Sequence, residues 1–146
     1  MIRAARPDDA DAVRAVVDGA YRHYIARMGK PPGPMLDDYA QRIADGQAWV
    51  LDDAGCITGI LVLEETAEGL LLDNIAVPPD QQGKGVGRAL LEFAESEARR
   101  RGFRSIYLYT HELMTENIAL YTRIGYVETR RVTEKGYDRV YMTKEL

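Results

Sequence analysis

Cysteine is nearly absent from this 146-residue chain, with Cys56 the only one. A lone thiol closes no intrachain disulfide and gives a cysteine-based zinc cluster no partner, so neither staple is expected and no metal is implied. Cys56 itself is expected to be a small apolar residue buried in a strand. No apolar run approaches the roughly 18 residues needed to cross a bilayer, which excludes a membrane-spanning helix. The opening MIRAARPDDADAV lacks the basic, apolar and small-residue segments of a secretory signal, so a cytoplasmic location is expected. Internal repeats and low-complexity tracts are also missing, and the proline-rich GKPPGP of residues 29–34 is too short for an interdomain linker. The chain lacks a positive excess as well. Its net charge is −4, which argues against a nucleic-acid backbone as partner.

What is present suits one globular domain spanning residues 1–146, since 46% of the residues are hydrophobic and 29% charged. The charge is unevenly spread. Residues 1–78 carry 7 Lys/Arg against 13 Asp/Glu, whereas residues 79–146 carry 12 against 10. Such a split suits a site that joins an anionic ligand to a cationic one, and equally a solvated surface.

Hydrophobic spacing predicts a strand over residues 2–5, then a helix opened by Pro7 and its following acids. Val13, Val16, Val17, Ala20, Tyr21 and Tyr24 form its apolar stripe. A second helical stripe starts at Leu36 and includes Tyr39, Ala40 and Ile43. Residues 47–77 read as a three-stranded antiparallel meander that Pro78 and Pro79 stop. A long helix follows, with Val86, Ala89, Leu90, Phe93 and Ala94 on one face and Arg99–Arg101 complementing its negative end. SIYLYT is a fifth strand, residues 115–124 a short helix, and the chain closes in a hairpin turning near EKGY.

The stretch QGKGVG, residues 82–87, lies between the meander and the long helix. A helix start aims several backbone N–H groups and a positive dipole end at one point, and glycines let an anion approach closely. Phosphate is the expected guest, although a purely structural glycine turn has the same appearance. Walker A chemistry is excluded because Lys84 is followed by Gly85 and not by Ser or Thr. A dinucleotide fingerprint also fails, because Arg88 or Leu90 stands where its third glycine belongs.

Gln82, Gly85 and Gly87 match the Gln/Arg-x-x-Gly-x-Gly/Ala acetyl-CoA signature, and ENIALYTRIGY, residues 116–126, resembles a second motif of the same family. On these two motifs and the element order, the chain resembles the GCN5-related N-acetyltransferase (GNAT) superfamily along nearly its whole length. The resemblance implies an α/β (α+β) acyl-CoA N-acyltransferase fold. Its mixed, mostly antiparallel sheet of about seven strands is flanked by about four helices and splayed between the fourth and fifth strands. It also implies an acetyl-CoA-dependent N-acetyltransferase that passes the acetyl group to a primary amine in a ternary complex. The alternative is a catalytically silent acyl-CoA-binding regulatory module of that fold. Homodimers are common in the family, so the resemblance admits a homodimer; neither nucleic acid nor membrane is implied as a partner.

Carried over position by position, the resemblance assigns the diphosphate to Gln82, Gly83, Lys84, Gly85, Val86, Gly87 and Arg88. The pantetheine arm falls to the backbone of Ile75, Ala76 and Val77 as an added strand, and to Asn117. The Tyr121 hydroxyl becomes the general acid beside the cofactor sulfur, where a leaving thiolate gains from a proton donor. The residues alone also permit a plainer role for Asn117 and Tyr121: four apart on one helix, they share a packing face with Leu120 and Ile124. For the base, Leu71 stands where many members carry glutamate. Asp73, His111 and water-mediated deprotonation therefore all stay open. Acceptor recognition maps to the first two helices and their connection. Tyr21, Tyr24, Met28, Met35 and Tyr39 form its expected apolar wall, and Asp37 or Asp38 is expected to meet a cationic amine. The acceptor ranges from small amines and antibiotics to peptide or protein amino groups.

Overall fold

A computed structural model describes all residues from Met1 to Leu146. Seven strands form one mixed sheet in the order β1-β2-β3-β4-β5-β7-β6. In chain order β1 is Ile2–Ala4, β2 Ala48–Asp53, β3 Cys56–Thr66, β4 Gly69–Ala76, β5 Ser105–His111, β6 Val127–Glu134 and β7 Tyr137–Glu145. The helices are α1 Ala10–Tyr21, α2 Tyr24–Met28, α3 Tyr39–Ala44, α4 Val86–Arg100 and α5 Thr115–Arg123. No helix is long and apolar enough to cross a membrane. The pairs β1–β2, β2–β3, β5–β7 and β6–β7 are antiparallel, whereas β4 and β5 run parallel. That parallel ladder holds Leu70 to Ile106, Leu71 to Tyr107 and Leu72 to Leu108, then ends, although β4 continues to Ala76 and β5 to His111. The expected mixed sheet, with its parallel β4–β5 pair, is therefore present.

Two compact units are distinguishable, residues Met1–Leu63 with Asn74–Ala94, and Glu64–Asp73 with Glu95–Leu146. In the first, the α1 stripe is buried as its spacing predicts, with Val13 and Val17 at zero exposure. The helix expected to run through Tyr24 breaks after Tyr21. There the Ile25 N–H bonds to the Arg22 carbonyl three residues back, at 3.2 Å. This tighter turn brings positions three apart onto one side, so that both tyrosines point inward with ring centroids 6.3 Å apart. The second helix also starts later than its apolar stripe suggests. Asp38 accepts the Gln41 N–H at 3.1 Å and caps α3, leaving Leu36 in a preceding 3₁₀ turn, exposed. Cys56 lies in β3 as expected, but it is exposed and not buried. It opens the strand directly after the Ala54-Gly55 turn, paired to Asp53 at the solvent end of the hairpin.

The start of α4 is seated on β3 through Gly59. A Cβ there would lie 2.7 Å from Val86 Cγ1 and 2.9 Å from Leu90 Cδ1, so no larger residue allows this approach. Further along, the Trp49 and Phe93 rings meet at 4.9 Å.

In the second unit, Ile106, Leu108, Val140 and Met142 alternate inward along β5 and β7. The arginine cluster is more than a solvated dipole complement. Arg100 binds both oxygens of the buried Glu97 carboxylate, and Arg101 Nε reaches it at 2.9 Å. The paired arginines, Arg100 foremost, hold that carboxyl down to about 2 against the burial that would raise it. β6 forms one edge of the sheet, and a register shift between Glu128 and Arg130 interrupts its pairing with β7.

Two outcomes follow from these contacts. Gly59→Ala should lower unfolding stability by about 1–3 kcal/mol through overpacking against Val86 and Leu90, measured by urea denaturation. Glu97 has a depressed folded pKa, so its contribution is complete above about 4.5 and disappears as pH falls toward about 2. Across that window Glu97→Gln should show a shallower loss of stability than the unchanged protein in acid denaturation.

Candidate active site

The first unit contains the glycine loop. Gly83 and Gly85 have φ of +79° and +83°, a region that side chains rarely adopt, and nothing lies within 4 Å of where their Cβ atoms would stand. Residues 82–85 form a turn that runs directly into α4, where Ala89 N–H bonds to the Gly85 carbonyl at 3.0 Å. The N–H groups of the turn before Ala89 are those that a helix leaves without an intrahelical acceptor. With side-chain-free glycines, a helix N-terminus and the exposed Lys84, the loop fits a diphosphate. Two neighbours are engaged otherwise than expected. Gln82 Nε2 donates to the Val77 carbonyl at 3.1 Å, and Arg88 pairs with Glu92 on the surface at 3.0 Å.

The acceptor-side helices belong to the same unit, and their tyrosines do not form an open wall. Tyr21 and Tyr24 are buried, whereas Met28 and Met35 are half-buried. The Tyr21 hydroxyl donates toward Asn74 Oδ1 at 2.7 Å and the Ile75 carbonyl at 3.0 Å. Asn74 Nδ2 donates to the Tyr39 hydroxyl at 2.8 Å, which in turn donates to the Pro34 carbonyl at 2.5 Å. Tyr24 stacks under His23, an exposed helix-end residue, at 3.9 Å, and Arg27 lies over its ring at 5.1 Å. Neither acid expected to meet a cationic amine points to that task. Asp37 pairs with Arg42 at 2.9 Å, and Asp38 is spent on the α3 cap. The proline-rich connection is tied down, as Arg14 donates to the Met35 carbonyl at 3.3 Å and the Asp37 carbonyl at 2.5 Å.

Tyr121, Asn117, Asp73 and His111 belong to the second unit. Tyr121 is the buried residue of α5, only 6% exposed, and its ring meets Tyr126 edge-on at 5.6 Å. Leu120, placed on the same face by spacing, is exposed. Burial pushes the Tyr126 phenol far above its ordinary range, and its hydroxyl has no hydrogen-bond partner. Asn117 Nδ2 donates to Met114 Sδ at 3.6 Å, and that sulfur also accepts from Thr110 Oγ1 at 3.5 Å. Asp73 stands one residue past the end of the β4–β5 ladder, where Tyr109 OH reaches its Oδ1 at 3.4 Å. His111 Nδ1 accepts the Leu113 N–H at 3.1 Å, so a neutral ring carries its proton on Nε2.

Two further polar residues here, Asn74 and Tyr109, are not singled out by motif or spacing. Asn74 had a signal, because an amide in the apolar strand LLLDNIAV needs a buried partner to be tolerated. Tyr109 had none, being one of the two tyrosines alternating along β5.

Comparison with known proteins adds the family. The model of the acetyltransferase (GNAT) domain matches residues 44–128. The Escherichia coli K12 [ribosomal protein bS18]-alanine N-acetyltransferase is 35% identical over 78 residues, covering 53% of each chain, so the chain spans about half the length of this relative. Streptothricin acetyltransferase of Streptomyces lavendulae is 28% identical over 151 residues, covering 85% of this chain and 79% of its own. Among solved structures, the PaiA N-acetyltransferase from Thermoplasma acidophilum in complex with coenzyme A has a TM-score of 0.79 at 18% identity, covering 100% of this chain and 98% of that one. With the matched domain spanning more than half of its residues and the expected fold in place, the chain belongs to the GNAT acetyltransferase family.

Proposed function

We propose that residues 1–146 act as one domain that transfers the acetyl group of acetyl-CoA to a primary amine by direct attack in a ternary complex. The observation that carries this reading is the open, left-handed glycine turn feeding α4. When bound, acetyl-CoA supplies the acetyl group as a thioester. In this reading the N–H groups of residues 83–88 and the helix dipole hold the diphosphate. Backbone N–H groups in Ile75–Val77 pair with the pantetheine arm and polarise the thioester carbonyl. Asn117 contacts the same arm, and Tyr121 protonates the departing sulfur. A tyrosine suits that task because its ordinary pKa of about 10 keeps the proton in place at neutral pH.

Asp73 is the proposed base, directly or through a water. His111 is less suited, because its Nδ1 lone pair faces the Leu113 N–H and the neutral ring has no other to offer. A primary amine as acceptor is supported by the names of the relatives, one acting on the alanine of a ribosomal protein and one on streptothricin. The burial of Tyr121 favours a second reading, an acyl-CoA-binding module without catalysis.

Coenzyme A at 100 times its Kd should stabilise the folded protein by about 2.7 kcal/mol, read as a rise in Tm. No rise at any concentration would remove both readings. Tyr121→Phe should reduce turnover roughly 100- to 10,000-fold, measured by thiol release from acetyl-CoA, with the Kd for coenzyme A changed by less than about twofold. Unchanged turnover would remove the acid role, and wild-type protein that binds coenzyme A without releasing thiol for any amine would leave the silent module.

A further inference from the structure

The end of β4 has a polarity that the proposed function does not explain. The Ala76 carbonyl is 3.5 Å from the Cβ position of Gly59 on β3, so it points toward β3. Successive carbonyls of a strand point to opposite edges, which turns the Ile75 carbonyl to the edge where the parallel ladder has already ended. A bare strand edge offers donors and acceptors in turn. Here two acceptors are already occupied by side chains: the Ile75 carbonyl by Tyr21 OH at 3.0 Å, and the Val77 carbonyl by Gln82 Nε2 at 3.1 Å.

Tyr21 does not reach Ile75 by chance of packing. Its hydroxyl shares one proton between Asn74 Oδ1 at 2.7 Å and the Ile75 carbonyl at 3.0 Å, while Asn74 Nδ2 donates to the Tyr39 hydroxyl, and all three side chains are buried. A buried amide costs stability unless its donor and acceptor are both used, and this one spends both on the pair of tyrosines. The chain of contacts runs from the proline-rich connection at Pro34 through Tyr39 and Asn74 to the backbone of β4.

We propose that Tyr21 is a positioning residue for the cofactor arm: its phenol, placed beside Asn74, shares its proton with the Ile75 carbonyl, so that the end of β4 presents N–H donors and the arm is recognised through its carbonyl oxygens. This inference rests on the proposed function. The physical reason lies in the bound state. Without the phenol, water can satisfy the Ile75 carbonyl while the edge is open, but an arm lying along the edge excludes that water and leaves a carbonyl without a donor. The cost therefore falls on binding as well as on folding.

Tyr21→Phe keeps the ring and removes only the hydroxyl. Tyr39→Phe removes a hydroxyl from the same network but leaves the Tyr21 contact to Ile75 in place. Both variants should lower Tm. Only Tyr21→Phe should raise the Kd for coenzyme A, measured by titration calorimetry, by roughly 5- to 30-fold, whereas Tyr39→Phe should stay within about twofold. Lower Tm in both with no change in Kd in either would make the network purely structural and overturn the proposal, as would an equal rise in both. Wild-type protein that binds no coenzyme A would overturn the proposed function and this inference together. Normal wild-type binding matched by Tyr21→Phe would overturn this inference alone.

Discussion

The parallel pairing of β4 with β5 ends after Leu72 and Leu108, and the proposed function of this chain builds on that early end. A sheet that stayed closed to Ala76 would commit the backbone polar groups of the last β4 residues to a neighbouring strand, since buried main-chain groups in proteins are nearly always paired. Releasing them leaves a short edge that must be satisfied in another way. Part of the solution is internal, in the side chains of Tyr21 and Gln82. In the proposed function the rest pairs with a ligand that behaves as a strand.

Holding such an edge in place requires stiff surroundings, and the contacts around it differ in kind. Against β3, α4 is seated by shape alone, in the space left by the missing side chain of Gly59. Towards its C-terminal end the helix has a buried carboxylate, Glu97, bound by the two arginines three and four residues later, both one turn on. An isolated buried charge would be costly, but here both oxygens are bonded. Ion pairs such as Arg88–Glu92, mostly exposed, contribute little by comparison.

Periodicity made most of the framework legible. The α1 stripe, the three-stranded meander and the final hairpin follow from spacing and turn residues, because each buries one face of a regular element. Two helix boundaries did not follow. Asp38 competes for the helix start with the apolar pattern beginning at Leu36, and the tight turn after Tyr21 breaks a stripe whose side chains nevertheless all remain buried. The glycine turn was legible because it needs a particular residue type at each place. The roles of polar side chains were less so. Asp37, Asp38 and Arg88 carry charges that looked available in sequence, and tertiary neighbours or a cap claim each of them. Asn74 shows the converse, a residue whose partners lie 35 and 53 positions away and are invisible to local spacing.

The outer strand β6 has a consequence of its own. Exposed strand borders invite copies of a protein to stack side by side, and natural sheets blunt them with charge and irregular geometry. Here the border is interrupted between Glu128 and Arg130, its first five residues are exposed, and Arg131 is linked to Glu128 along the same strand. Lateral growth into fibrils is therefore opposed at this end by an interrupted register and a row of charged side chains.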